Sequence, residues 1–396
     1  MKRIYLDHGA TTPVDPLVVK AMLPYFTKKF GNASSIHSFG LEAKEALEEA
    51  REKIAKKIKA LPEEVIFTSG GSEADNMALR GIAFAHKRKG NHIITSSIEH
   101  PAVLETCREL EREGFKVSYL GVNREGFIDL SDLEQKISED TILVSVMHAN
   151  NEIGTIQDIK EIGRICEEKN VLFHSDAVQS FTKAPINVRK INVDALSFSA
   201  HKIHGPKGVG AMYLSEGTPF NKLVFGGHHE FDKRAGTENV PAIVGFAKAV
   251  ELAKEKYVKQ MAGLRDYLIK EIEGRIPDSK LNGPKGNKRL CSNANFSFAF
   301  IEGEALLNYL NFDGIAVSTG SACSSQSLEP SHVLKAIGLP HEIIHGSCRM
   351  TLGRENTRKE LNFTVKSLEK NVKKLREISP LRKGVKYNKE EFGHKH

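Results

Sequence analysis

The sequence predicts an α/β protein on a mostly parallel sheet, and three observations predict it. Short apolar runs alternate with amphipathic helical stretches between residues 65 and 199, the pattern of parallel strands joined by crossover helices. Chemically capable residues, namely Ser72, His100, Asn151, Asp176, Gln179, His201 and Lys202, follow the ends of those runs, where ligands sit in such sheets. A long helical stretch from Pro241 into the 270s then separates this series from a second, shorter cycle. A chain of 396 residues accommodates two domains at the ~150 residues typical of each.

In order, residues 4–6 read as a short strand, and Asp7 to Pro13 as a turn-rich segment. Residues 16–30 suggest a helix stopped by Gly31, and Asn32 to Gly40 an ordered loop. A helix over about 41–60 carries Leu41, Leu47, Ile54 and Ile58 among charges and ends at Pro62. Val65–Thr68 is a strand, followed by Ser69-Gly-Gly-Ser72 and a helix from Glu73. Further strands are expected at 92–95, 116–120, 141–147, 171–174 and 195–199, with helices at 101–113, 130–137, 158–169 and 240–275. The second cycle has strands at 293–300 and 315–317, helices at 303–310, 331–337 and 357–377, and a polar turn at 345–349. Between them, residues 318–330 are rich in small residues and include Cys323.

Composition excludes several function classes. The net charge is +7, but basic and acidic residues are interleaved, which argues against a nucleic-acid surface. No apolar run approaches the ~20 residues of a membrane helix, and the start, MKRIYLDHGATTP, turns polar too soon for a signal peptide. A cytoplasmic location is expected. Cys107, Cys166, Cys291, Cys323 and Cys348 are scattered and form no C-x-x-C pair, so neither a disulfide framework nor a zinc ribbon is expected. His228-His229 and His394/His396 lack a ligand set, and no resident metal is expected.

The stretch Ser197 to Gly210, SFSAHKIHGPKGVG, is where chemistry concentrates. A lone lysine in such a loop is ordinarily solvated. At a buried strand end, however, desolvation disfavours the charged form and frees a neutral amine for an imine. A phosphorylated pyridine aldehyde would need that lysine, Lys202, and an acid to protonate its ring nitrogen, for which Asp176 is placed. Gln179 could reach the phenolic oxygen, Gly71-Ser72 could cradle the phosphate on a helix N-terminus, and His100 could stack on the ring. Each residue has an ordinary structural reading: Asp176 as a helix cap, the glycine loop as a plain helix start matching neither the P-loop nor the dinucleotide fingerprint. The conjunction at one sheet edge is what points to chemistry.

The blocks LDHGATTP, GNASSIHSFG, FTSGGSEADN, EHPAV, HANNEIGTIQ, HSDAVQS, SFSAHKIHGPKGVGA, RAGTENVPAIVG, STGSACSS and GSCRMTLGR span nearly the whole chain. In them the sequence resembles the class V aminotransferase-like enzymes of pyridoxal 5'-phosphate (PLP) fold type I. Within that group it is similar to the cysteine desulfurases of the housekeeping iron–sulfur type. The resemblance implies a large PLP-binding domain over 15–257 with a seven-stranded-type, mostly parallel sheet. It implies a smaller α+β domain from 1–14 and 258–380, and a polar tail over 381–396. It implies a Schiff base on Lys202, which also moves the Cα proton. Asp176 pairs with the ring nitrogen, Gln179 with the phenolic oxygen, and His100 stacks and shuttles a proton. Gly71, Ser72, Ser199 and His201 hold the phosphate, and Thr237 reaches the phosphate of the partner subunit in a homodimer. Asn151 lies beside cofactor and substrate, and Arg349 grips the substrate carboxylate.

By the same resemblance, Cys323 accepts sulfur from L-cysteine as a persulfide, releasing L-alanine, and passes it to a scaffold protein and other acceptors for iron–sulfur clusters, with tRNA thiolation a further use. Contact of Cys323 with a transferred iron–sulfur cluster is left open. The alternative for Cys323 is a small buried hydrophobe, against which its serine- and glycine-rich surroundings speak. The long loop to Pro330 is that of the housekeeping subgroup, and the tail beyond Ser379 is either a scaffold-docking end or a polar terminus. Departures are Gly70-Gly71-Ser72, where relatives have Ala-Thr after the first glycine, His8-Gly9, and Cys348, read as packing. The rival readings are a selenocysteine lyase or other class V PLP enzyme, and a non-catalytic docking platform.

Overall fold

Strand and helix alternate through the first part of the chain, as the periodicity predicts. The computed structural model describes residues 3–319 and 330–379; Cys323, most of its segment, and the tail over 381–396 lie outside them. The strands are β1 (Ile4–Tyr5), β2 (Val65–Thr68), β3 (His92–Ser96), β4 (Lys116–Leu120), β5 (Thr141–Ser145), β6 (Leu172–Asp176), β7 (Ala195–Ser199), β8 (Gly210–Leu214), β9 (Ser279–Leu281), β10 (Asn293–Phe298), β11 (Ile315–Ala316) and β12 (Ser347–Thr351). The helices are α1 (Pro16–Met22), α2 (Pro24–Thr27), α3 (Ser38–Ile58), α4 (Gly71–His86), α5 (Pro101–Arg112), α6 (Leu130–Lys136), α7 (Ile159–Glu168), α8 (Val188–Ile191), α9 (Val240–Leu252), α10 (Glu255–Arg275), α11 (Gly303–Phe312), α12 (His332–Ala336), α13 (His341–Ile344) and α14 (Arg358–Ile378).

Seven strands form the central sheet in the order β2-β8-β7-β6-β5-β3-β4. All run parallel except β8, which is antiparallel to both neighbours. Every residue of β3, β5, β7 and β8 is buried, because helices cover both faces. This explains why these strands read as continuous apolar runs rather than alternating ones. The buried stripe of α7 (Ile159, Ile162, Ile165, Cys166) recurs at the helical period and joins the main core with Phe173, Phe181, Phe198 and Phe246. A second apolar cluster lies under the antiparallel sheet β12-β10-β9, where α10, α11 and α14 contribute Leu268, Ile272, Leu306, Leu310, Leu361 and Leu368. A capping box between Thr357 and Glu360 starts α14.

Several elements differ from the sequence expectation; the polar turn expected at 345–349 is largely strand β12, paired along β10, and strand β9 is unanticipated. The helix expected over 16–30 is split into α1 and α2, because Pro24 has no N–H to continue it. The one expected over 240–275 breaks at Ala253 and Lys254, both extended, into α9 and α10. Strand β8 is unanticipated, since its apolar run follows directly on the glycine loop after Lys202.

β2 is an edge strand, and its free side is closed by an ion pair rather than by another strand. Arg51 from α3 forks onto Glu230 at 2.8 and 2.9 Å and donates to the Val65 carbonyl at 2.5 Å. Glu230 accepts from the Phe67 N–H at 2.7 Å. The guanidinium lies between the Phe67 and Phe231 rings, each 4.8 Å away. Glu230, Phe231 and Asp232 all have positive φ, a strain of about 1–2 kcal/mol per residue that the buried contacts offset. Removing one partner leaves a charge buried without compensation. Arg51→Ala is therefore expected to cost about 3–5 kcal/mol, read from the urea midpoint, with Arg51→Lys intermediate because it keeps the charge and loses the fork.

Candidate active site

The carboxyl ends of β2, β5, β6 and β7 open onto one cavity of about 310 Å³. It is lined by Gly71, Ser72, His100, Asn151, Asp176, Gln179, Ser199, His201, Lys202 and Arg349, which the sequence singled out. Gly9, Ala10, Asp75, Met147 and Val178 complete it and were not anticipated. Thr237 is not brought in; it is exposed, outside this cavity.

The cavity's upper wall is the start of α4. A Cβ on Gly71 would lie 2.6 Å from Val178 Cγ2, and one on Gly210 would lie 2.7 Å from the Gly70 backbone. Bare backbone here lets β8, the loop and the segment after β6 close together. The first-turn N–H groups of α4 have no partners inside the helix and present a positive end.

Lys202 lies in a short 3-10 turn after β7, and its Nζ donates to the carbonyls of Gly9 at 2.6 Å and Ala10 at 2.8 Å. Gln179 Nε2 donates to the same Gly9 carbonyl at 3.0 Å. The N-terminal segment clasps the lysine loop in return: Thr12 donates through N and Oγ1 to the His201 carbonyl, and His204 N donates to Thr12 Oγ1 at 2.7 Å. His201 Nδ1 meets Thr11 Oγ1 at 3.1 Å. Sequence reading missed this clasp because its two halves are some 190 positions apart; the only signal was the turn-rich composition of Asp7 to Pro13.

Asp176 ends β6 and is 5 % exposed. Its Oδ1 accepts from the Val178 N–H at 2.8 Å. Burial raises its carboxyl to about 6, while that N–H and the Lys202 charge act the other way. His100 caps α5, its Nδ1 accepting from the Ala102 N–H at 3.1 Å, so the neutral ring carries its hydrogen on Nε2. Burial, then Lys202 and His332, hold it down at about 4. Arg349, on β12, is 3 % exposed; it donates to Asp7 Oδ1 at 3.0 Å and to the Asn151 carbonyl at 3.2 Å, and its Nε is buried without a partner. Ser318 pairs with Arg349 through two backbone hydrogen bonds, and Ser331 donates to the buried Glu152 at 2.6 Å.

These residues fit a phosphorylated pyridine aldehyde. Asp176 is a buried carboxylate with a single backbone donor and capacity for a ring N–H. The helix start, Ser72, Ser199 and His201 suit a phosphate, Lys202 supplies the amine, and Met147, Val178 and His100 offer flat or apolar contact. Among the described residues no cluster of three or more metal-ligating side chains occurs.

Buried neutral imidazoles also set a pH limit. His148 is 4 % exposed and held at about 4 by burial alone, against ~6.5 when unfolded. The unfolded chain therefore binds the extra proton between those values, so this contribution is complete above pH ~6.5 and is lost as pH falls toward 4. Wild type is expected to lose about 1.4 kcal/mol per pH unit relative to His148→Gln through that window, measured by urea unfolding at several pH values.

Comparison with known proteins identifies the family. The family model for aminotransferase class-V matches residues 4–363. A cysteine desulfurase IscS from Dictyoglomus turgidum is 56% identical over 393 residues, covering 98% of this chain and 100% of that protein. Among solved structures, a NifS-like protein superposes with a TM-score of 0.89 at 41% identity, covering 94% of this chain and 100% of that one. SspA in complex with cysteine gives 0.81 at 37% identity, over 90% and 100%.

Proposed function

The chain belongs to the class-V aminotransferases and, within them, to the cysteine desulfurases, a PLP-dependent family; on that premise we propose that it converts L-cysteine to L-alanine, leaving a persulfide on Cys323 for delivery to iron–sulfur cluster assembly. The observation that carries the reading is the convergence of Lys202, Asp176, His100 and Arg349 on one cavity, with Ser318, ahead of the segment bearing Cys323, paired to the Arg349 backbone.

PLP bound through Lys202 would be held by Asp176, Gln179, Ser72, Ser199 and His201, and it supplies an electron sink for charge developing at the substrate Cα. The chain's own residues do the rest. The unpartnered Nε–H of Arg349 is free to donate to the substrate carboxylate beside the Asn151 backbone, which fixes the Cα–H bond toward Lys202. Lys202 removes and returns that proton. His100, neutral with its hydrogen on Nε2, moves a proton at the substrate sulfur. The Cys323 thiolate then attacks that sulfur: an S–S bond forms, the substrate's C–S bond breaks, and its electron pair stays on the carbon skeleton, which takes up a proton to become alanine. One thiol and one cysteine give one persulfide and one alanine.

Leu23, Phe26, Phe30, Ile36 and Phe39 are more than half exposed near the N-terminus, and the Phe30 and Phe39 rings stack at 5.5 Å. Such a patch on a water-soluble surface fits a second copy of the chain, and an exposed Thr237 outside its own cavity fits a role in the partner's. Cys107, Cys166, Cys291 and Cys348 are free and buried, as in a reducing cytoplasm. No helix among the described residues is long and apolar enough to cross a membrane.

The test is alanine and persulfide formation from L-cysteine with PLP absorbance followed on the same samples. Cys323→Ala is expected to keep the absorbance and lose sulfur transfer; Lys202→Ala is expected to lose the imine absorbance and turnover together. Cys323→Ala with wild-type turnover on cysteine would overturn the persulfide route. For the dimer, Ile36→Asp is expected to shift the light-scattering mass toward one chain, and an unchanged monomeric mass in wild type would refute it.

A further inference from the structure

Asp75 is the acidic residue on the cavity wall that this chemistry leaves without a task. It lies in α4, one turn past the glycine loop, and is 1 % exposed. Its Oδ1 is buried with no hydrogen-bond partner, and His174 Nε2 lies 3.7 Å away. His174 is itself bonded on both sides: Nδ1 meets Ser145 Oγ at 2.9 Å and Nε2 meets Ser197 Oγ at 3.0 Å. Sheet register makes this row. Ser145 pairs with His174 across β5 and β6, and Ser197 pairs with Asp176 across β7 and β6. His174 and Asp176, two apart on β6, share a face. Ser145, His174 and Ser197 are wholly buried, so a polar row runs beneath the cavity floor and ends at Asp75, beside Asp176.

The row has two hydrogen-bond polarities, because a neutral imidazole has one N–H and one lone pair. With the hydrogen on Nε2, His174 donates to Ser197, whose hydroxyl is free to donate to an Asp75 carboxylate. With it on Nδ1, Ser145 accepts, Ser197 donates to Nε2, and the remaining lone pair of Ser197 can accept from a protonated Asp75. Electrostatics select the second. No lysine or arginine pairs with Asp75 among the described residues. Burial first, then the Asp176 charge, push its carboxyl well above the usual range; the Ser197 hydroxyl opposes and Glu99 adds to the rise. Asp176 instead has the Val178 N–H and Lys202. His174 cannot supply a cation, since burial holds it at about 3.

We propose that Asp75 and Asp176 hold one proton between them, carried on Asp75, so that the floor of the cavity presents a single carboxylate, Asp176, to the cofactor ring. Asp75 is then a positioning residue acting through Asp176, with the Ser197–His174–Ser145 row giving the shared proton a fixed place. The functional meaning rests on the cavity being the PLP site; the protonation state does not.

Infrared difference spectroscopy on full-length protein, with and without PLP, tests it. At pH 7 the wild-type minus Asp75→Asn spectrum is expected to show the C=O stretch of a protonated acid and no carboxylate stretches. In an Asp176→Asn background that band should weaken, because the neighbouring charge that retains the proton is gone. Ser197→Ala, which leaves both acids in place, should move the band to higher frequency as the acid loses its acceptor. The unfolded chain releases this proton above pH ~3.9, so wild type should also lose stability relative to Asp75→Asn as pH rises above that value. Carboxylate stretches in the Asp75→Asn difference, or no movement of the band in Ser197→Ala, would overturn the proposal while leaving PLP binding intact. A wild type without PLP absorbance would overturn the cofactor reading and leave the infrared result standing.

Discussion

The Lys202 amine is held by two backbone carbonyls, Gly9 and Ala10, contributed from the other end of the chain. The rest of the arrangement depends on that contact. The segment carrying those carbonyls is fixed on both sides of the cavity. On one side β1 pairs with β11, and Gly9 N donates to Thr351 Oγ1 at 2.7 Å, tying it to the smaller sheet. On the other, Thr11 and Thr12 bind the turn that bears the lysine. A backbone carbonyl cannot rotate away as a side chain can, so the amine is aimed by covalent geometry.

The same economy governs the charges. Asp7 neutralises Arg349, and Arg349 reaches the Asn151 carbonyl while pairing with Ser318. One arginine thus links the N-terminal segment and the main sheet through its guanidinium, and the segment that leads to Cys323 through its backbone. Opposite it, the acids on the floor are separated in kind: one is held near a cation and a backbone donor, the other sits over a row of hydroxyls and a neutral imidazole. Two carboxyls with different surroundings take different protonation states, which is how neighbouring acids come to have distinct tasks.

Packing supplies the clearances these contacts need. Gly71 and Gly210 are positions where a single added carbon would meet Val178 or the Gly70 backbone. The edge of β2, which leads into that loop, is closed by Arg51 and Glu230 rather than by a further strand. The loop therefore starts from a rigid strand although that strand is outermost in its sheet.

The sequence by itself determined the α/β class and the main strand–helix order, because apolar periodicity and chain punctuation are local properties. It also marked Lys202, Asp176, His100 and Arg349, since residues after strand ends face the ligand edge and the motif blocks carry the rest. It did not reveal β8, whose apolar run is masked by the glycine loop before it, nor the breaks at Pro24 and Lys254 inside apparently continuous helical patterns. Only the tertiary structure decided that Gly9 and Ala10 hold the lysine, that Asp75 shares the floor with Asp176, and that Thr237 stays outside the cavity of its own chain. Each of those facts depends on residues brought together across long sequence separations or on sheet register, and neither is written in the local order of residues.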